Sequence, residues 1–231
     1  MTETSSQLSA HETGDARDEI LTSIRRNLAT SLPFDAVRSG HHTQATTVVT
    51  APPVLPSCEK RSEDFRANLE SVGGYCVVVS DETEAVRSVA ETIKQMQAQR
   101  VAISDSTLVA QLVDAEAGAE IQENPSRNAL FDCDIGITSA QWAVAETGTL
   151  VLESELESHR LISLVPPVHL CILRASSIRQ SMGEILELMK YNLSRTITFI
   201  TGASRTSDIE LTLAIGVHGP RELHVIVIAD Q

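Results

Sequence analysis

The stretch YCVVVSDETEAVRSVAETIKQMQAQRVAIS, residues 75–104, decides the fold. It opens on a short Val-rich run, YCVVVS, that reads as a strand. The period then changes. In DETEAVRSVAETIKQMQAQ, residues Val86, Val89 and Ile93 recur at helical spacing and form an inward stripe. Asp81 stands where a helix N-terminus wants a side-chain oxygen. RVAIS returns to strand. Strand, helix and strand in succession argue for parallel strands covered by helices.

The same alternation continues outward. Upstream, EDFRANLESVGG (63–74) reads as a helix ending at Gly73. Downstream, a short helix opens at Asp105 or Ser106, and AEIQE and DIGIT read as strands. SAQWAVAETG (139–148) reads as a short helix or turn ending at Gly148, and TLVLES as a strand. LISLVPPVHLCILR passes through a proline break into another strand. SIRQSMGEILELMKYN is a helix, while TITFITG and ELHVIVIA are strands. The expected fold is α/β, an open and largely parallel sheet flanked by helices, spanning residues 58–231. Residues 1–57 are set apart. The first 14 are polar and read as disordered. Ile20, Leu21, Ile24 and Leu28 mark one face of a helix, and Pro33, Pro52, Pro53 and Pro56 mark a linker or extended arm.

Composition narrows the function. Hydrophobic residues make up 42% of the 231, and aromatics only 3%; an aliphatic interior of this kind suits buried parallel strands. The formal net charge of −13 repels phosphate backbones, so a nucleic-acid partner is not expected. Cys58, Cys76, Cys133 and Cys171 form no CxxC pair and no cluster-binding run, and His41 and His42 lack further ligands nearby. The expectation is structural thiols in a reducing compartment and no metal site. The N-terminus lacks the basic start and apolar core of a signal peptide, and the apolar runs are strand-length. A cytoplasmic protein without a membrane span is expected.

Three segments carry polar residues suited to chemistry. In AETGTL (145–150), Glu146 precedes Thr147, Gly148 and Thr149. Glu146 is either a ligand binder, base or nucleophile beside an anion-cradling turn, or a helix-end acid with Gly148 chosen for turn geometry. In ITGASRTSDIELTLAIG (200–216), Ser204, Arg205, Thr206 and Ser207 fall in a strand-to-helix loop, with a helix starting near Ser207 or Asp208. Such a helix start attracts anions, and Arg205 would add a forked donor. Alternatively Asp208 or Ser207 only caps the helix and Arg205 is solvated. In GVHGPRELHVIVI (216–228), Gly216, Gly219 and Pro220 hold His218 in a tight turn, where it is a general acid/base or bonds its own loop. His169 and His224 read as satisfied sheet residues, and Trp142 as a packing residue. The chain has no Walker loop, no GxSxG elbow and no GxGxxG after a strand.

These segments, from Asp134 to Ile228, resemble the LUD domain, specifically the LutC/YkgG (lactate utilization protein C) family. Residues that match the family pattern are Glu146 to Thr149, Ser204, Thr206, Asp208, Glu210, Gly216, His218, Gly219 and Pro220. Gly202-Ala203-Ser204 departs from the family's usual Gly-Pro-Ser. The resemblance implies a fold similar to the NagB/RpiA/CoA-transferase group. It also implies a part in oxidising L-lactate to pyruvate, beside two partner subunits that carry iron–sulfur clusters, with no cofactor in this chain. On this reading the catalytic candidates are Glu146, Asp208 and His218. Thr147, Gly148, Thr149, Ser204, Arg205, Thr206, Glu210 and Gly219 would hold a small carboxylate or other anionic ligand at the carboxyl edge of the sheet. Two other readings stay open: a regulatory or assembly module without catalysis, and a stand-alone acyl- or CoA-transferring enzyme with Glu146 as nucleophile.

Overall fold

A computed structural model of the chain describes residues 18–26, 56–113, 118–155, 160–190, 194–206, 214–216 and 218–230. The chain divides into two compact units, Met1–Pro53 and Val54–Gln231. In the first, residues 18–26 are helical (α1), within the helix expected from the Ile20–Ile24 spacing. The expected disordered segment and most of the Pro-rich arm lie outside the described residues.

The second unit is built on a six-stranded sheet in which every pairing is parallel. Its strands are β1 (Tyr75–Val79), β2 (Arg100–Ile103), β3 (Glu120–Glu123), β4 (Ile135–Ser139), β7 (Val168–Arg174) and β12 (Glu222–Ile228), in the order β1-β12-β7-β4-β2-β3. Two helices cover one face. Ala85, Val89 and Ile93 of α3 (Glu82–Gln95) and Val109 and Leu112 of α4 (Thr107–Leu112) pack on Val101, Ile103, Ile135, Ile137, Leu170, Ile172 and Ile226. Asp81 caps α3 as expected, its Oδ1 accepting from the Glu84 amide at 2.8 Å. Ser106 is the N-cap position of α4.

The other face carries helix α2 (Cys58–Ser71) and a second sheet. Phe65 and Leu69 of α2 meet Cys171, Leu173, Leu223, Val225 and Val227, and with them Ala143, Leu150, Leu152 and Ile178. Those last four belong to a four-stranded sheet, β8-β5-β6-β9, made of β5 (Trp142–Val144), β6 (Thr149–Glu153), β8 (Ile178–Arg179) and β9 (Ile197–Ile200). Its outer face is closed by Ile185 and Met189 of α5 (Met182–Met189), packed on Val144 and Val151.

This second sheet corrects three expectations. Residues 139–148, read as a short helix or turn, contain the strand β5, antiparallel to β6 across a turn in which Gly148 N–H donates to the Val144 carbonyl at 3.0 Å. Trp142 and Val144 face α5 while Ala143 faces the main core, a strand alternation in which both faces are buried. The helix expected from Ser177 starts only at Met182, because Ile178 and Arg179 pair with β5 and Ser181 supplies the cap. TLVLES and TITFI are strands as read, but of the four-stranded sheet rather than the parallel one.

Candidate functional site

A cleft of about 250 Å³ opens at the seam between the two sheets. Its walls come from Ser163 and Leu164 before the Pro166–Pro167 break, from Thr198–Ser204 at the end of β9, and from His218–Pro220 ahead of β12. His169 and Leu223, the second residues of β7 and β12, also line it. The cleft therefore lies at the amino ends of β7 and β12, and this corrects the expectation of a site at the carboxyl edge of the parallel sheet. The reason is topological: β9, whose carboxyl end supplies the loop with Ser204, belongs to the second sheet. Among the described residues, none that lines the cleft is Asp, Glu, Lys or Arg. A much smaller cavity of about 10 Å³, lined by Thr138, Glu153 and Arg160 among others, has about the space that one water needs.

The three segments singled out in the sequence do converge. Two backbone bonds zip the second to the third: Ser204 N–H donates to the Pro220 carbonyl at 2.9 Å, and Gly216 N–H to the Ser204 carbonyl at 2.9 Å. Arg205 and Thr206 form a two-residue strand, β10, antiparallel to β11 (Ala214–Ile215). These two positions were expected in a strand-to-helix loop, and the β10–β11 pairing replaces it. The expected helix start at Ser207 or Asp208 lies outside the described residues, as does Glu210. The first segment reaches the cleft through hydroxyls. Thr147 Oγ1 and Thr149 Oγ1 are 2.7 Å apart, and Thr149 Oγ1 is 2.7 Å from Oγ1 of Thr201, a lining residue.

Close backbone approach explains the glycines. Both glycine turns dock on the C-terminal end of α2. Gly148, with φ of +64°, has no room for a side chain: a Cβ would lie 2.3 Å from the Leu69 amide nitrogen. Asn68 Nδ2 donates to the Ala145 carbonyl at 2.8 Å in the same turn. Gly202, with φ of +77°, sits against the Val72 carbonyl, and Arg205 Nη2 donates to that same carbonyl. A cation at the negative end of a helix is favourably placed.

Of the residues chosen from sequence, Ser204, His218 and Gly219 line the cleft. Thr149 stands one hydroxyl behind it, and Gly148 and Arg205 hold the loops on α2. Glu146 is exposed on its turn and is not among the lining residues; its amide donates to the Gln180 carbonyl at 3.2 Å.

His169 lines the cleft although its sequence position gave it no place in the site. It is 1% exposed, and its Nε2 lies 2.8 Å from Thr138 Oγ1. Its Nδ1 has no hydrogen-bond partner among the described residues. Burial holds the ring's pKa down to about 3, so the imidazole is neutral at pH 7. The expectation of a satisfied sheet histidine holds for Nε2 only. The signal was thin: the alternation in VHLCILR puts His169 on the same face as Cys171 and Leu173, toward the second sheet. His224, by contrast, stacks on Tyr75 with ring centroids 4.6 Å apart and bonds Glu222 at 3.1 Å. Trp142 packs under the Arg179 guanidinium and donates from Nε1 to Glu153.

None of the four cysteines forms a disulfide, and Cys76, Cys133 and Cys171 are buried. Burial pushes the Cys76 thiol up to about 12, far from a reactive thiolate. Among the described residues, no group of three or more His, Cys, Asp or Glu is placed to hold a metal ion, and no helix is long and apolar enough to cross a membrane.

Fold and site together define a two-sheet α/β protein with a cleft of mixed polar and apolar lining at the seam. The LUD-domain family model matches residues 62–228, and the chain belongs to this family, with its LutC relatives. It is 39% identical over 110 residues to lactate utilization protein C of Deinococcus radiodurans, covering 46% of this chain and 52% of that protein. It is 35% identical over 104 residues to lactate utilization protein C of Bacillus subtilis, covering 42% and 43%. An uncharacterized protein of Neisseria meningitidis is 42% identical over 98 residues, covering 41% and 42%. The chain thus spans about half the length of the curated relatives it matches. Among solved structures, a DUF162 family protein from Deinococcus radiodurans superposes with a TM-score of 0.60 at 24% identity, covering 75% of this chain and 99% of that one. That likeness shows the fold.

Proposed function

We propose that this chain is the non-cluster subunit of a system that oxidises L-lactate to pyruvate, and that it holds a small carboxylate in the seam cleft. The observation that carries the proposal is the cleft itself. In a chain of net charge −13, it is lined by hydroxyl, imidazole and apolar residues, with no carboxylate among the described ones. Such a lining spares an anion the repulsion it would meet elsewhere on the surface. The relatives named lactate utilization protein C support the choice of substrate.

On this proposal Ser204 and His218 contact the ligand at the rim. Gly219 keeps the rim narrow, since a Cβ there would press on Ser204 at 3.0 Å. Asp208 and Glu210 fall in sequence between β10 and β11, whose pairing brings the two ends of that segment together beside Ser204. On this proposal, partner subunits in the cytoplasm would hold iron–sulfur clusters, and those clusters would supply the electron acceptor. The test is growth on L-lactate. Deletion of the gene should abolish it; the wild-type gene should restore it, and His218→Ala should restore it poorly. Normal growth of the deletion strain, with no second copy present, would overturn the proposal.

A further inference from the structure

His169, which lines the cleft, forms with Thr138 a buried pair whose polarity is not fixed. Thr138 and His169 are each 1% exposed, on neighbouring strands, with Oγ1 and Nε2 2.8 Å apart. The hydroxyl of Thr138 can donate or accept. A neutral imidazole has one N–H and one lone pair, and the bond at one nitrogen decides which of them the other presents. If Thr138 donates to Nε2, then Nδ1 carries the proton and is a donor. If Nε2–H donates to Thr138, then Nδ1 is an acceptor. The exchange alters no net charge. Nδ1 is also the atom that lacks a partner among the described residues, on a side chain that lines the cleft. A buried polar atom left without a hydrogen bond costs about 1–3 kcal/mol, so a ligand that supplies one gains by doing so.

We propose that the His169–Thr138 pair is a reversible anchor for the 2-oxygen of a 2-hydroxy or 2-keto acid. With a hydroxy acid, the ligand's O–H donates to Nδ1. With a keto acid, Nδ1–H donates to the carbonyl oxygen. One site thereby takes both members of a hydroxy/keto pair without gaining or losing charge. The inference rests on the reading that the cleft takes a small carboxylate, and it adds what recognises the second carbon.

The full-length chain is titrated with L-lactate, pyruvate and propionate, the last having no 2-oxygen. Wild type should bind lactate and pyruvate within about threefold of each other, and propionate about tenfold more weakly, the worth of one hydrogen bond. His169→Gln keeps an amide within reach of Thr138 but puts nothing where Nδ1 stood. It should bring lactate and pyruvate to the propionate level and leave propionate unchanged. Equal binding of all three by wild type would overturn the anchor and leave the carboxylate cleft standing. Binding of none would remove both. If His169→Gln does not fold, ¹⁵N spectra of the wild-type ring decide: Nδ1 should be unprotonated with lactate and protonated with pyruvate. The same tautomer with both would contradict the proposal.

Discussion

Gly148 separates two demands that a glycine can answer. Its φ of +64° favours glycine, and a Cβ there would also strike the backbone of Leu69 at 2.3 Å. Gly118 has a similar φ of +81° but nothing within 4 Å of the Cβ position. Gly148→Ala should therefore cost about 3 kcal/mol or more, since the helix backbone must move, and Gly118→Ala about 1 kcal/mol, the backbone term alone. Urea denaturation of the two variants checks this; equal losses would contradict the close approach. His169 adds a pH dependence. Its folded pKa, about 3, lies below the ordinary 6.5, so the unfolded chain takes up a proton first as pH falls. Stability from this residue is full above pH 6.5 and is lost progressively down to about pH 3. From pH 7.5 to 5.0 it should amount to about 2 kcal/mol. His169→Gln should lower the pH dependence over that interval by this amount; an unchanged dependence would mean that the ring is not buried in its neutral form.

Elements were legible wherever local chemistry and packing agree. α3 shows its cap in Asp81 and its stripe in Val89 and Ile93, and the structure uses both. Asp81→Ala should cost about 1 kcal/mol through the lost bond to the Glu84 amide, read as a lower urea midpoint with unchanged slope. β5 was not legible. Trp142-Ala143-Val144 is three residues long, and both its faces are buried by different partners, α5 on one side and the α2 core on the other. Neither helical spacing nor a polar face marks such a strand. Arg205 and Thr206 were misread for a related reason: a two-residue strand is set by its partner at Ala214–Ile215, eight or more residues away, not by its own composition.

At the scale of the molecule, the alternation of strands and helices announced the parallel sheet but not the second one. Turn signals at Gly148 and Gly202 were visible, yet what they dock on, the end of α2, lies some 80 and 130 residues away in sequence. For the same reason the convergence of the three polar segments was legible and the edge at which they meet was not. The placement of β9 in the second sheet carries its loop to the amino ends of β7 and β12. On the proposed reading, a small carboxylate sits there. The most direct measurement is a ¹H–¹⁵N correlation spectrum of the full-length chain during titration with L-lactate. Saturable shifts should concentrate in residues 198–204, 218 and 219 and at His169. Shifts centred instead on Ser104, Ser106 and Ser139 at the carboxyl edge, or no saturable shifts at all, would contradict it.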